Sequence, residues 1–272
     1  MARMREEMTA QGFSIALPGA DGRMGQMIQT VLAEQNITLK AATEDKSSDK
    51  IGTKMMGVTV SDDSAALGQG PGCVIVDFTR PEVTMAHLAI ARSTATPMVI
   101  GTTGLSASDE QKIAEAASDI PVVYCANTSV GVTLLSRIVS DVARALSDDW
   151  DIEIVETHHH HKIDAPSGTA LALGHAAAKG RGVSLDAVRD SGRESETGAR
   201  KKGDIGFAVL RGGDVAGEHT VSFFGQQERI EITHRATGRI IFARGAVEAA
   251  RFAASAPNGL YDMTDVLGLS SD

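Results

Sequence analysis

The chain has 272 residues, 42% of them hydrophobic and 22% charged, which is ample apolar material for a folded core and argues against disorder. Its 26 basic residues against 35 acidic ones give a formal net charge of −9, the wrong sign for gripping a phosphate backbone, so a nucleic-acid role is not expected. A small anionic ligand is not excluded, because a local cationic pocket can sit on an acidic protein.

The two cysteines, Cys73 and Cys125, lie in apolar runs and form no Cys-x-x-Cys pair. They are expected to be reduced, buried and inert, neither disulfide-bonded nor metal-binding. The opening segment, MARMREEMTAQG, is charged and lacks the apolar stretch of a signal peptide. No run reaches the roughly 18 apolar residues of a membrane span. A cytoplasmic protein with no membrane contact is expected.

In chain order, residues 13–18 read as a strand, 23–35 as a helix and 38–43 as the next strand. After a glycine-punctuated stretch come strand-like runs at 73–78, 97–100 and 121–125. Helical spacing fills 81–93 and 106–117, with Pro81 in a first turn and Ser106 as an N-cap. Strands alternating with helices predict βαβ units in a doubly wound parallel sheet. From residue 151 the pattern changes. A strand at 151–157 and an alanine-rich helix at 168–179 precede a polar stretch at 180–203 that reads as a mobile loop. Close-set strand runs at 205–210, 219–224 and 228–234 then predict a mixed or antiparallel sheet. A last helix at 238–254 precedes the tail. The expected fold is therefore α/β, with an N-terminal Rossmann-type sheet and a second α+β domain.

The first strand runs into GADGRMG, from Gly19 to Gly25, which opens a helix. Glycines there permit a tight turn and close backbone approach to a pyrophosphate, and the helix start offers N–H groups to phosphate oxygens. The spacing is G-x-x-G-x-x-G, so context carries the reading. Glu44 ends the second strand, where a carboxylate can accept both adenosine ribose hydroxyls. Asp21 would repel phosphate if it pointed inward, and is expected to face solvent or support the helix start. Two more loops leave strands on the same edge: GTTG at Gly101–Gly104 and Cys125-Ala126-Asn127-Thr128.

The segment ETHHHHKIDAPSGT, from Glu156 to Thr169, is the most informative. The run continues a strand, along which His158 and His160 are expected to share one face and His159 and His161 the other. A zinc site would need converging ligands that the segment does not supply, so no metal is expected. A solvated polar strand end is the bland alternative. Acid–base work with anion binding is the sharper one, because Pro166 and Ser167 precede another helix start whose Gly168 and Thr169 amides face an anion together with Lys162.

These motifs together resemble the dihydrodipicolinate reductase family: GADGRMG, the DFT at Asp77–Thr79, GTTG, the Ala126-Asn127 pair and E-x-H-H-x-x-K-x-D-A-P-S-G-T. The likeness extends to R-x-G-D-x-x-G-E-H-T at Arg211–Thr220 and covers nearly the whole chain. It implies NAD(P)H-dependent reduction of 4-hydroxy-tetrahydrodipicolinate, a small cyclic dicarboxylate of the diaminopimelate route to lysine, with loss of water. It implies His158 as the acid–base histidine and Lys162 as proton donor, with His159, Gly168 and Thr169 holding substrate. The cofactor would meet Gly19, Ala20, Asp21, Gly22, Arg23, Met24, Glu44, Gly101, Thr102, Thr103, Cys125, Ala126, Asn127 and Thr128. It also implies a nucleotide domain of residues 1–129 plus 240–272, a substrate and oligomerisation domain of 130–239, and a homotetramer built through the second domain's sheet. The chain departs from the family pattern at Asp45, where some relatives carry arginine, at Thr128, where an aromatic often stands, and at Ser195, where a loop glycine is expected. With Glu44 and Asp45 both acidic, NADH is expected to be modestly preferred over NADPH.

Two rival functions are weighed against this one. A nucleotide-sensing Rossmann protein without catalysis would have no use for the histidine–lysine segment. A semialdehyde-type reductase would want a nucleophilic cysteine, and neither Cys73 nor Cys125 sits in a suitable helix-start motif.

Overall fold

A computed structural model of the chain describes residues 12–269. Residues 1–11, most of the segment considered for a signal peptide, lie outside the described residues. In chain order β1 (Ser14–Pro18) leads into α1 (Arg23–Gln35) and β2 (Thr38–Thr43). A hairpin of β3 (Lys54–Met55) and β4 (Val58–Thr59) precedes β5 (Cys73–Asp77), α2 (Pro81–Ser93), β6 (Met98–Ile100), α3 (Ala107–Ala116) and β7 (Pro121–Tyr124). Then come α4 (Val130–Ala145), β8 (Asp151–His158), α5 (Gly168–Gly180), α6 (Leu185–Val188) and β9 (Arg189–Asp190). The strands β10 (Ile205–Arg211), β11 (Gly217–Phe224) and β12 (Arg229–Ala236) follow, and α7 (Ile240–Ala253), β13 (Gly259–Tyr261) and α8 (Met263–Val266) come last.

The chain divides into two compact units, one of Met1–Val130 with Ile240–Asp272 and one of Gly131–Arg239. In the first, six parallel strands lie in the order β13-β7-β6-β5-β1-β2. The strands are apolar on both faces because helices cover both. Ile15, Leu17, Val74 and Val76 face one layer, with Ile28 and Leu32 of α1 and Ala246 and Ala250 of α7. Ala16 and Ile75 face the other, with Leu88 of α2 and Ile113 of α3. Local signals set the helix ends: Pro81 opens α2, Ser106 and Asp109 form a reciprocal capping box on α3, and Asn36 stops α1 in the left-handed conformation at φ 54°. The strand order reverses direction at β1, between β2 and β5. The crevice at that switch point, beyond the carboxyl ends of the strands, is where open α/β sheets take ligands.

The second unit is a mixed sheet in the order β12-β11-β8-β10-β9, with β8 parallel to β10 and antiparallel to β11. One face packs Ile152, Ile154, Ile205, Val221 and Phe223 against α4 and α5. The opposite face leaves Val155, Leu210 and Phe224 exposed.

The α/β expectation holds, and four local ones change. The helix α4 was not anticipated, although Val132, Leu135, Val139 and Ala143 recur at helical spacing and are buried. The tail contributes a sixth strand, β13, beside β7. The stretch 180–203 is not simply a mobile loop: it contains α6 and β9, and Arg193 and Arg200 pin it to Glu153 on β8 at 2.6 and 2.9 Å. The strand β8 ends at His158, and the chain turns at His160 and His161, so the alternating faces expected of the four histidines do not form. Backbone bonds from His159 N to Val215 O and from His160 N to Gly213 O redirect the chain.

Candidate active site

In the first unit, β1 ends at Pro18 and Gly19 turns the chain at φ +63°, a conformation glycine adopts without strain. A Cβ on Gly25 would strike the carbonyls of Gly19 and Ala20, so glycine is what lets α1 start this close to the strand. Gly22, at the N-cap, offers no side-chain cap to the first turn. Gly19, Gly22, Arg23, Met24 and Phe78 line a hollow of about 150 Å³ at this helix start. This backbone cradle, which side chains would fill, fits a pyrophosphate. Asp21 turns to the helix: its Oδ1 accepts from Gln26 Nε2 at 3.2 Å, as expected of a residue supporting the helix start.

A larger cleft of about 810 Å³ adjoins Gly19 and Gly22 and is lined by Glu44, Asp45, Lys46, Arg80 and His87 among others. Glu44 Oε1 accepts the Asp21 backbone N–H at 2.5 Å, which fixes this carboxylate beside the glycine loop. Asp45 accepts from the Ser47 hydroxyl and amide at 2.7 and 3.0 Å, bonds that hold its carboxyl below the usual range.

Under the neighbouring loops lies a buried carboxylate to which sequence reasoning assigned no task, although it opens the DFT motif. Asp77 Oδ1 accepts from the Thr79 amide and hydroxyl at 2.8 and 2.6 Å and from Thr84 and Thr102 at 3.1 and 3.3 Å. Its Oδ2 meets His87 Nδ1 at 2.7 Å. Thr102 is therefore buried, whereas Thr103 is exposed at the sheet edge beside Gly101. Burial pushes the half-buried Cys125 thiol up to about 12, which keeps it protonated near neutral pH. Ala126 is exposed and Asn127 accepts the Ser129 N–H at 2.9 Å. Thr128 is buried, and its hydroxyl donates to Phe242 O on α7 at 2.7 Å. The parallel sheet thus gathers Gly19–Met24, Glu44, Gly101–Thr103 and Cys125–Asn127 on one edge, and Thr128 turns away beneath α7.

In the second unit the inner face of β8 changes from apolar Ile152 and Ile154 to Glu156 and His158 as the strand reaches its end. Glu156 is buried, and its Oε2 meets His158 Nδ1 at 2.5 Å. The Arg211 guanidinium grips the same carboxylate at 2.8 and 2.9 Å and donates to Asp164 O at 2.7 Å. Glu156 Oε1 also accepts the Ser167 N–H at 3.0 Å. Ser167 caps α5 through the Ala170 N–H, and Gly168 and Thr169 open that helix. His219 contacts the Ser167 hydroxyl at 3.0 Å and stands edge-on to His158, with ring centroids 5.1 Å apart. Gly217 leaves room over the imidazole, since a Cβ there would sit 3.0 Å from His158 Nε2.

Lys162 Nζ pairs with Asp164 at 2.8 Å. His159 lies 3.4 Å from Arg239 through its Nε2, while its Nδ1 is buried without a hydrogen-bond partner. Desolvation, followed by the Arg239 charge, pushes His159 below the usual imidazole range. His160 and His161 are exposed and pack against each other. Sequence reasoning missed Arg239 and the tasks of Arg211 and His219, although the last two stand inside the R-x-G-D-x-x-G-E-H-T motif. Among the described residues no group of three or more His, Cys, Asp or Glu side chains could hold a metal ion, and no helix is long and apolar enough to cross a membrane.

A doubly wound unit with a glycine-loop cradle, joined to a mixed-sheet unit bearing a carboxylate–imidazole pair and a lysine, has the build of a Rossmann-type α/β reductase. The N-terminal part of the dihydrodipicolinate reductase family pattern matches residues 13–128, and the C-terminal part matches residues 131–267. The 4-hydroxy-tetrahydrodipicolinate reductase of Ruegeria sp. (strain TM1040) is 49% identical over 264 residues, spanning 94% of this chain and 98% of the relative. The enzyme of the same name from Cupriavidus metallidurans is 48% identical, spanning 94% and 99%. In fold, the chain is similar to a dipicolinate-bound dihydrodipicolinate reductase from Paenisporosarcina sp. TG-14, with a TM-score of 0.73, 22% identity, and 93% and 98% of the two chains covered. The chain belongs to the dihydrodipicolinate reductase family. It is an oxidoreductase.

Proposed function

We propose that this protein reduces 4-hydroxy-tetrahydrodipicolinate to tetrahydrodipicolinate with NAD(P)H, in the diaminopimelate route to lysine. The observation that carries the reading is the polar end of the second unit's sheet. There a buried carboxylate holds an imidazole, and Lys162 and the start of α5 belong to the same short segment. Relatives nearly half identical to this chain carry the name of that reaction and align over almost their whole length.

The residues for the cofactor are Gly19, Ala20, Asp21, Gly22, Arg23 and Met24 at the glycine loop, Glu44 at the ribose, and Gly101, Thr102, Thr103, Cys125, Ala126 and Asn127 along the edge. Thr128 supports this edge from beneath through Phe242. Reduced nicotinamide, when bound, supplies the hydride. In the net reaction that hydride and one proton enter, and the ring hydroxyl leaves as water. Lys162 Nζ delivers a proton and adds positive charge for a substrate carboxylate. His158 carries protons at Nε2, the nitrogen not engaged by Glu156. Gly168 and Thr169, at the N-terminus of α5, and His159 hold the dicarboxylate.

Glu44 and Asp45 favour NADH modestly, while Lys46 and Arg80 in the same cleft keep NADPH usable. The first unit is the nucleotide domain and the second binds substrate. The exposed face carrying Val155, Leu210 and Phe224 is the surface through which four copies assemble. The protein works in the cytoplasm. The test is cofactor oxidation, read as loss of the reduced nicotinamide absorbance, with freshly generated hydroxy-tetrahydrodipicolinate. Turnover supports the reading. Binding of cofactor without turnover would return the protein to the class of nucleotide sensors.

A further inference from the structure

An ionised carboxylate inside a protein is costly unless hydrogen-bonded donors surround it. Glu156 is 1% exposed, and four donor groups converge on its two oxygens: the Arg211 guanidinium, twice, the Ser167 amide and His158 Nδ1. Burial alone would push its carboxyl up, but Arg211, His158 and Ser167 outweigh it and hold the group below the usual carboxylate range. An ionised carboxylate only accepts. His158 Nδ1 must therefore bear the hydrogen, and Nε2 is the nitrogen turned toward Gly217, a neighbour with no side chain to cover it.

The same carboxylate holds the backbone of Ser167, whose hydroxyl caps α5 through Ala170. Through Arg211 it also holds the Asp164 carbonyl, two residues beyond Lys162. One side chain thus touches the imidazole and the helix start, and reaches the lysine-bearing turn through Arg211. We propose that Glu156 is the positioning residue of this site: it selects the Nδ1–H tautomer of His158 and fixes that ring against the N-terminus of α5, with Arg211 as its counter-ion. The inference rests on the reductase reading for its kinetic consequence, but the tautomer stands without it.

The experiment pairs Glu156→Gln kinetics with nitrogen NMR of histidine-labelled protein, the His158 signals being assigned by His158→Gln. Glutamine keeps the shape and adds an amide donor, so an Nδ1 without hydrogen becomes acceptable. The expected result is a kcat lower by about 10²-fold or more, with cofactor KM nearly unchanged and the melting transition still cooperative. In the wild type, at a pH where the ring is neutral, His158 is expected to carry its hydrogen on Nδ1, and in Glu156→Gln that preference weakens. A folded Glu156→Gln with wild-type kcat and tautomer would overturn the proposal. If the variant does not fold, the wild-type spectrum alone decides: hydrogen on Nε2 sinks the proposal, and hydrogen on Nδ1 upholds it. A wild type that fails to oxidise cofactor would refute the reductase reading and leave the tautomer result standing.

Discussion

The Ser167 hydroxyl and His219 Nε2 lie 3.0 Å apart, so the cap of one helix is tied to a histidine on the strand beside it. Burial, with the nearby His158, pushes His219 down to about 4. The unfolded chain takes up this proton near the ordinary histidine value, at higher pH than the folded chain does, so acid favours unfolding. Its contribution is complete above that ordinary value and is lost as the pH falls toward about 4. The difference amounts to roughly 3 kcal/mol. Denaturant unfolding at a series of pH values should show a shallower acid loss for His219→Gln than for the wild type. Parallel curves would remove His219 as the cause.

Lys162→Ala is expected to lower turnover on the order of 10²–10⁴-fold, the usual contribution of a general acid, while the fold survives. Lys162 pairs with an exposed carboxylate, that of Asp164, so little stability goes with it. Near wild-type turnover in the purified, folded variant would take the proton-donor role from this residue.

Ser195 adopts φ 61°, the left-handed region in which a side chain costs about 1–2 kcal/mol. Ser195→Gly removes that strain but loosens the unfolded chain, for a net gain of up to about 1 kcal/mol. Ser195→Val should lose stability, because branching at Cβ crowds this conformation further. Thermal melts of the pair give the ordering, and a more stable valine variant would contradict it.

Glu44 and Asp45 share the cleft with Lys46 and Arg80. Glu44 is fixed by the Asp21 N–H, so it cannot swing away from an arriving 2′-phosphate without losing that bond. A modestly higher specificity constant for NADH than for NADPH is expected, and Glu44→Gln should narrow the gap. A clear NADPH preference that strengthens as salt falls would mean that Lys46 and Arg80 dominate instead.

Much of the first unit was legible in the sequence, because each βα unit carries its own local signals: apolar runs, Pro81, the Ser106 cap and the glycine turn. The Asp77 cluster was not, since Thr79 follows β5, Thr84 and His87 lie on α2 and Thr102 follows β6, and the three places meet only after the sheet forms. The same holds for Glu156, whose partners Arg211 and Ser167 are 55 and 11 residues away along the chain. The histidine run misled in the opposite sense. Four identical residues suggested a continuing strand, but backbone bonds to Gly213 and Val215 end it after the first. The stretch 180–203 looked mobile because it is polar, yet its arginines find carboxylates on β8 that no local pattern announces.

The most direct measurement follows the hydride itself. Cofactor deuterated at both nicotinamide C4 positions is mixed with the protein and freshly generated hydroxy-tetrahydrodipicolinate, and the product is weighed by mass spectrometry. A reductase acting by hydride transfer leaves one deuterium in each tetrahydrodipicolinate formed, in step with cofactor oxidised. Cofactor oxidised without deuterium in that product, or no oxidation by the folded wild type, would contradict the proposed function.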